Sequence, residues 1–211
     1  MIGLMEKPQV VTVEEWDRAR AELLTAEKEA TRLTDRVAAQ RRRLPMVRMG
    51  DYTFDAPSGP RTLVDLFDGR PELAVYQFMD NGADDFCPGC TAFTNNVPEH
   101  GLAMLADAGI SWATISNMPL AQIEGYKAKM GWTMPFVSSR GTTFAKDCGA
   151  DYFMLSMFVR DGDVVHRTYS TTQRGVDRLL FSNNVRDLSV YGRQEDWEDS
   201  PDGWPQHPTY G

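Results

Sequence analysis

Leu73-Ala74-Val75-Tyr76-Gln77-Phe78-Met79, an almost unbroken apolar run, is followed one short loop later by Cys87-Pro88-Gly89-Cys90. The run has the length and composition of a buried strand. Two thiols separated by two residues, placed where such a strand hands over to a helix, read as a redox dithiol rather than a metal site. The attacking species is the thiolate. A helix N-terminus lowers the pKa of a thiol from about 8.5 by offering unpaired N–H groups and the positive end of the dipole. Pro88 suits the first helical turn, where its missing N–H is no loss. Cys90, one turn further in, can attack a mixed disulfide formed on its neighbour. Cys87 is therefore the expected nucleophile and Cys90 the resolving thiol. Asp84 and Asp85 stand just upstream, and their negative charge disfavours a thiolate, so the expected acidity is mild.

Other chemistries for the pair fit less well. A structural zinc site needs four ligands, and beyond the pair the chain has only Cys148, His100, His166 and His207, at no usual second-pair spacing. A four-cysteine iron-sulfur cluster lacks ligands, and Thr91 stands where haem attachment requires histidine. No cofactor or metal is expected. Cys148 reads as a small buried apolar residue.

The 211 residues are 42% hydrophobic and 25% charged, enough to bury a core and typical of a globular chain. A net charge of -8 argues against nucleic acid or an anionic membrane surface as partner. Three cysteines cannot frame a disulfide scaffold, the opening stretch has no signal-peptide core, and no apolar run approaches the ~20 residues that span a bilayer. A cytoplasmic protein is expected, acting on protein or small-molecule thiols and disulfides.

Upstream of the decisive strand, Thr12 to about Leu44 reads as one long helix. Thr12 and Glu15 form a capping box, and Pro45 ends the run. Trp16, Leu23, Ala30, Val37 and Leu44 recur at sevens, with Ala19, Ala26 and Leu33 as a second row until Gln40 breaks it. A seam is implied, either with a second copy as a homodimer or against the chain's own body. Arg41, Arg42 and Arg43 complement the dipole at the helix end. Tyr52-Thr53-Phe54 and Arg61 to Val64 flank a turn and predict an extra hairpin.

Downstream, Ile110 to Ser116 predicts a strand and Pro119 to Met130 a helix capped by Gly131. Pro135 to Ser138 reads as a short strand and Thr142 to Cys148 as a short helix. Phe153 to Arg160 and Val164 to Tyr169 form a hairpin about Asp161-Gly162-Asp163, and a final helix lies near Gly175 to Phe181. Pro98 should end or kink the dithiol helix. The order is that of an α/β/α sandwich with a mixed central sheet covered on both faces. Three segments follow: a helical arm over 1–45, the sandwich over 46–190, and an acidic, aromatic tail over 191–211. The tail's Trp197, Trp204 and Tyr210 are expected to strap it onto the body.

The sandwich resembles the thioredoxin superfamily, in the version with extra N-terminal strands seen in peroxiredoxin-like and alkyl-hydroperoxide-reductase-like members. Four stretches carry a closer likeness: Cys87 to Cys90, Tyr126-Lys127-Ala128-Lys129-Met130-Gly131-Trp132, Pro135 to Ser139, and Gly192-Arg193-Gln194-Glu195-Asp196-Trp197-Glu198-Asp199-Ser200-Pro201. These are similar to a bacterial family of predicted dithiol-disulfide oxidoreductases of unknown function. The resemblance implies a thioredoxin-like fold and dithiol chemistry at Cys87 and Cys90. Three departures stand out. No proline occupies Tyr152-Phe153-Met154-Leu155, where thioredoxins place a cis-proline facing the dithiol. Gln77 stands nearest to their buried aspartate and cannot shuttle a proton. Asp84 takes the place of the peroxiredoxin threonine, which disfavours a specialised peroxidase.

Pro88, Gly89, Asp85, Trp132 and Phe153 are candidates to line the site, although a buried aromatic such as Trp132 more commonly serves the core. His166 reads as a partly exposed strand residue. Two functions remain open: a thiol-disulfide oxidoreductase, and a non-catalytic binding or redox-sensing protein on the same fold.

Overall fold

The structure, a computed structural model, describes residues 7–150, 152–204 and 206–207. The chain divides into two compact units, Pro45–Asn184 on the one hand and Met1–Leu44 with Val185–Gly211 on the other.

The larger unit is built on a six-stranded mixed sheet ordered β1-β8-β7-β4-β5-β6. Its strands are β1 Val47–Arg48, β4 Glu72–Phe78, β5 Ile110–Ser116, β6 Phe136–Ser138, β7 Met154–Asp161 and β8 Val164–Thr171. β4 is parallel to β5 and β5 to β6, while β7 runs antiparallel to β4, β8 to β7 and β1 to β8. The strand that leads to the dithiol thus lies in the middle of the sheet, between a parallel and an antiparallel neighbour. That is the thioredoxin-like α/β arrangement expected from the sequence. β2 Thr53–Phe54 and β3 Arg61–Thr62 form the extra hairpin as a separate two-stranded sheet. A bulge between Met157 and Phe158 breaks the register of β7 with β8.

Alternation along β4 divides the core between the two faces of the sheet. Leu73 and Val75 join Phe54, Phe67, Phe144 and Phe158 in one cluster. Tyr76 and Phe78 join Cys87, Cys90, Phe93, Tyr126 and Trp132 in the other. Side chains two apart on a strand share a face, so Gln77 lies on the side away from the dithiol. Phe144 meets Phe54 edge-on at 5.1 Å and Tyr52 likewise at 5.1 Å, which seats the hairpin on the first cluster.

The helices differ from expectation at their ends. α2 is Pro88–Asn95 and ends before Pro98, one of the two outcomes expected there, with Pro98 as the N-cap of a separate helix, α3 Glu99–Asp107. α4 is Leu120–Met130 and is closed by Gly131 in the left-handed conformation, φ 70°, as its sequence predicts. α5 covers only Phe144–Cys148. The single final helix expected near Gly175 to Phe181 is two helices, α6 Arg174–Asp177 and α7 Phe181–Asp187. Cys148 is buried, and His166 is half-buried on β8.

In the smaller unit, α1 is Val13–Arg41. Thr12 Oγ1 accepts from the Glu15 N–H at 3.3 Å and the Glu15 carboxylate accepts from the Thr12 N–H at 3.0 Å, completing the capping box. The helix ends three residues before the expected Leu44, with the Arg43 guanidinium donating to the Ala39 carbonyl at 3.1 Å. None of its residues is buried. The tail folds on itself: Tyr191 packs edge-on against Trp204 at 5.0 Å, the Arg193 guanidinium lies 4.9 Å from the Trp197 ring centre, and its Nε donates to Asp187 at 2.6 Å. Tyr210 lies outside the described residues. No helix among the described residues is long and apolar enough to cross a membrane.

Candidate active site

Cys87 is the N-cap of α2, with Pro88 in the first turn. Its extended backbone turns Sγ back over the helix end, where Sγ accepts a hydrogen bond from the Cys90 N–H at 3.2 Å. A sulfur here does what a serine or aspartate oxygen does at most helix starts. The Cys90 thiol donates to Cys87 as well, and this bond is the largest influence lowering the Cys87 pKa to about 6. The Cys90 and Gly89 N–H groups add to the effect; burial and Asp85 oppose it. The sequence expectation of mild acidity therefore requires correction. Asp85 is exposed and its field is screened by solvent, so it is the weakest of these influences.

Cys90 is the complement of its neighbour. It is fully buried, and donation to Cys87 together with burial pushes its pKa far above the ordinary thiol range. The Met79 N–H donates to Cys90 Sγ at 3.5 Å, and the Tyr76 hydroxyl also hydrogen-bonds to it, both acting in the direction of a thiolate. Both cysteines are free thiols. Acid and base character are thus separated between two sulfurs one helical turn apart: one is ready to attack, and the other keeps its proton until it is called upon.

The surroundings of Cys87 are aromatic. Phe86 stacks on Tyr126 with ring centres 3.6 Å apart and planes inclined by 6°. Trp132 meets Tyr126 edge-on at 5.3 Å, and its indole N–H donates to Asn95 Oδ1 at 2.9 Å. Thr91 Oγ1 donates to the Cys87 carbonyl at 2.9 Å and lies 2.8 Å from the Tyr126 hydroxyl. Since the single hydroxyl proton of Thr91 is committed to Cys87, the Tyr126 O–H is the donor to Thr91. The start of α2 is tied to α4 by this chain, and Gln122 Nε2 donating to the Gly82 carbonyl at 2.8 Å ties the preceding loop to the same helix. A cavity of about 490 Å³ is lined by Asp84, Phe86, Gln122, Gly125, Tyr126 and Lys129.

Of the residues singled out from sequence, Trp132 and the half-buried Phe153 belong to the cluster that holds both cysteines. Pro88, Gly89 and Asp85 are exposed at its edge. Gln77 is brought elsewhere: it lines a separate cavity of about 120 Å³ with Ser116, Asn117 and Ser139, and neither amide atom has a partner among the described residues. No peptide bond among the described residues is cis. Among the described residues no three of His, Cys, Asp and Glu come together as a metal-ion site.

Tyr76, Thr91 and Tyr126 are site residues that the sequence reading misses. The signal for Tyr76 is strand alternation, which puts it on the face of the dithiol and Gln77 on the other. Tyr126 stands out in the sequence only as the first residue of the Tyr126–Trp132 stretch, and nothing in the sequence pairs it with Thr91.

Solved structures are similar to this chain at low identity. Peroxidoxin BcpB from Mycobacterium tuberculosis is 18% identical, with 69% of this chain and 98% of that one covered and a TM-score of 0.49. A thiol:disulfide interchange protein from a Bacteroides species is 14% identical, with 71% and 92% covered and a TM-score of 0.48. Comparison with curated proteins gives no match. Residues 5–210 match a family described as bacterial protein of unknown function (DUF899), and the chain belongs to that family.

Proposed function

We propose that this protein is a dithiol-disulfide oxidoreductase. The observation that carries the reading is the division of labour between the two sulfurs, with Cys87 capping a helix at a pKa of about 6 and Cys90 buried and protonated behind it. In the reductive direction, the Cys87 thiolate attacks one sulfur of a substrate disulfide and expels the other as a thiolate. A mixed disulfide with Cys87 results. Cys90 gives up its proton, attacks Cys87 Sγ and releases the second substrate thiol. Two electrons pass from the dithiol to the substrate, and the protein is left with a Cys87–Cys90 disulfide. The reverse sequence oxidises a substrate dithiol. Substrates are protein or small-molecule disulfides able to enter an aromatic-lined cleft.

The test is equilibration of the protein with glutathione, with a Cys90→Ser variant to trap intermediates. A reversible Cys87–Cys90 disulfide and a mixed disulfide accumulating on Cys87 are expected, with turnover abolished by Cys87→Ser. A pair that stays reduced under oxidant, or that binds zinc one to one, would overturn the reading.

One observation favours a second reading, that of a redox-sensing binding protein. Cys87 is only 7% exposed beneath its aromatic neighbours, so its oxidation could change a surface contact without repeated turnover. Multiple turnovers with a small disulfide separate the two: a sensor reacts once per chain and stops.

A further inference from the structure

We infer that α1 is the interface of an antiparallel homodimer, with a second copy of this chain as the occupant of its exposed seam. The helix buries none of its residues, and its largest apolar side chains lie along one stripe: Trp16 is 57% exposed, Leu23 55% and Leu33 54%. A stripe of this kind costs free energy in water until another surface covers it.

The charges on the helix select the partner and its direction. The N-terminal turns carry Glu14, Glu15, Asp17 and Glu22 against Arg18 and Arg20, and the C-terminal end carries Arg36, Arg41, Arg42 and Arg43 against Asp35, so acidic residues lead at one end and basic residues at the other. Two such helices lying head to tail put acidic end against basic end and oppose their dipoles favourably. The heptad makes this specific. With Trp16, Leu23, Ala30 and Val37 in one row and Ala19, Ala26, Leu33 and Gln40 in the other, an antiparallel pair centred on residue 28 sets Leu23 against Leu33 of the second copy. It also sets Ala26 against Ala30 at the centre, where small side chains allow close approach. In that register Glu22 flanks the seam opposite Arg36 of the second copy, twice by symmetry. Glu29 approaches its own copy once at the centre, and Glu27, also central, is already paired with Arg20 of its own chain at 2.8 Å, which leaves the attractive pairs in the majority. A parallel pair instead sets Glu22 against Glu27 and Arg36 against Arg41, with like charges facing at both places. Its attractive contact, Glu15 with Arg20, is weakened because Arg20 is already paired with Glu27 of its own chain at 2.8 Å.

Sedimentation equilibrium of the full-length protein with Glu22→Arg, with Arg36→Glu, and with the two mixed tests the inference. Both positions are exposed and neither belongs to the capping box, so the helix itself is expected to stay intact by circular dichroism. The wild-type chain is expected to dimerise. Each variant alone should weaken the dimer about tenfold, because two facing pairs change from attraction to repulsion. An equimolar mixture should recover wild-type affinity as a heterodimer, because opposite charges then face each other again at both places where position 22 of one chain meets position 36 of the other. A monomeric wild type overturns the inference, and so does a dimer indifferent to both variants. Tighter association of each variant alone would establish the parallel arrangement and overturn it equally.

Discussion

Replacing Cys90 with alanine tests the origin of the reactivity of Cys87. The substitution removes the thiol that donates to Cys87 Sγ, the largest contribution to its lowered pKa, but leaves the backbone N–H groups of residues 89 and 90 in place. With the pKa at about 6, about nine-tenths of Cys87 is thiolate at pH 7; a thiol at its ordinary value of about 8.5 would be ionised to only about three parts in a hundred. In the variant the pKa should fall between these limits, held down only by the helix end. The assay is thiolate absorbance at 240 nm, together with the rate of alkylation by iodoacetamide, followed from pH 4 to 9. The third cysteine does not interfere, because burial pushes the Cys148 thiol up to about 11. Wild-type alkylation should rise with pH through a midpoint at about 6 and level off above about 7, and the variant's midpoint should lie higher, with slower reaction at pH 6 to 7. An unchanged midpoint in Cys90→Ala would refute the reciprocal bond between the sulfurs as the source of the acidity. A wild-type midpoint near 9 would refute the activation itself.

Tyr76→Phe removes a hydroxyl from Cys90 and should leave the Cys87 midpoint in place while prolonging the mixed disulfide about tenfold, as stopped-flow mass spectrometry would show; unchanged resolution would remove Tyr76 from the mechanism. Phe86→Ala removes the ring stacked on Tyr126 and should speed alkylation of Cys87 at pH 9, where the thiolate is fully formed, and lower its midpoint slightly as burial is relieved; slower alkylation would count against Phe86 as a cover. Phe54→Ala, at a fully buried ring meeting Phe144 edge-on, should cost about 3–5 kcal/mol in chemical denaturation, far from the dithiol in sequence and on the other face of the sheet. Gly131→Ala, at φ 70°, should cost about 1 kcal/mol and lower the melting temperature by about 2–4 °C.

The elements legible in the sequence are those whose signals are local. The run from Leu73 to Met79 is β4 almost to the residue, the Thr12 and Glu15 capping box starts α1, and Asp161-Gly162-Asp163 turns the chain from β7 into β8. β1 is not legible because two residues carry no periodicity, and Val47–Arg48 is defined only by its pairing with β8. At the site, the pair of cysteines and their order can be read, but their electrostatics cannot. The neighbouring aspartates are conspicuous in sequence, yet Asp85 points into solvent, and a bond between the two thiols outweighs it. Analogy of position sets Gln77 beside the dithiol, and a one-residue step along the strand puts it on the opposite face.

For the proposed dithiol-disulfide exchange, the Cys87 cap also bears on the stability of the reduced pair. A negative charge accommodated at the head of α2 stabilises the dithiol form of the protein and does nothing for the disulfide, which has no charge to place there. At pH 7, a nucleophile of pKa about 6 favours the reduced pair about tenfold over one with ordinary thiols, on the order of 30 mV for a two-electron couple. Cys90 stays protonated and adds no ionisation of its own; its part is the hydrogen bond it donates to Cys87. The geometry that makes Cys87 a good attacking group thereby makes it a good leaving group, and in the proposed exchange it shifts the pair toward its reduced form.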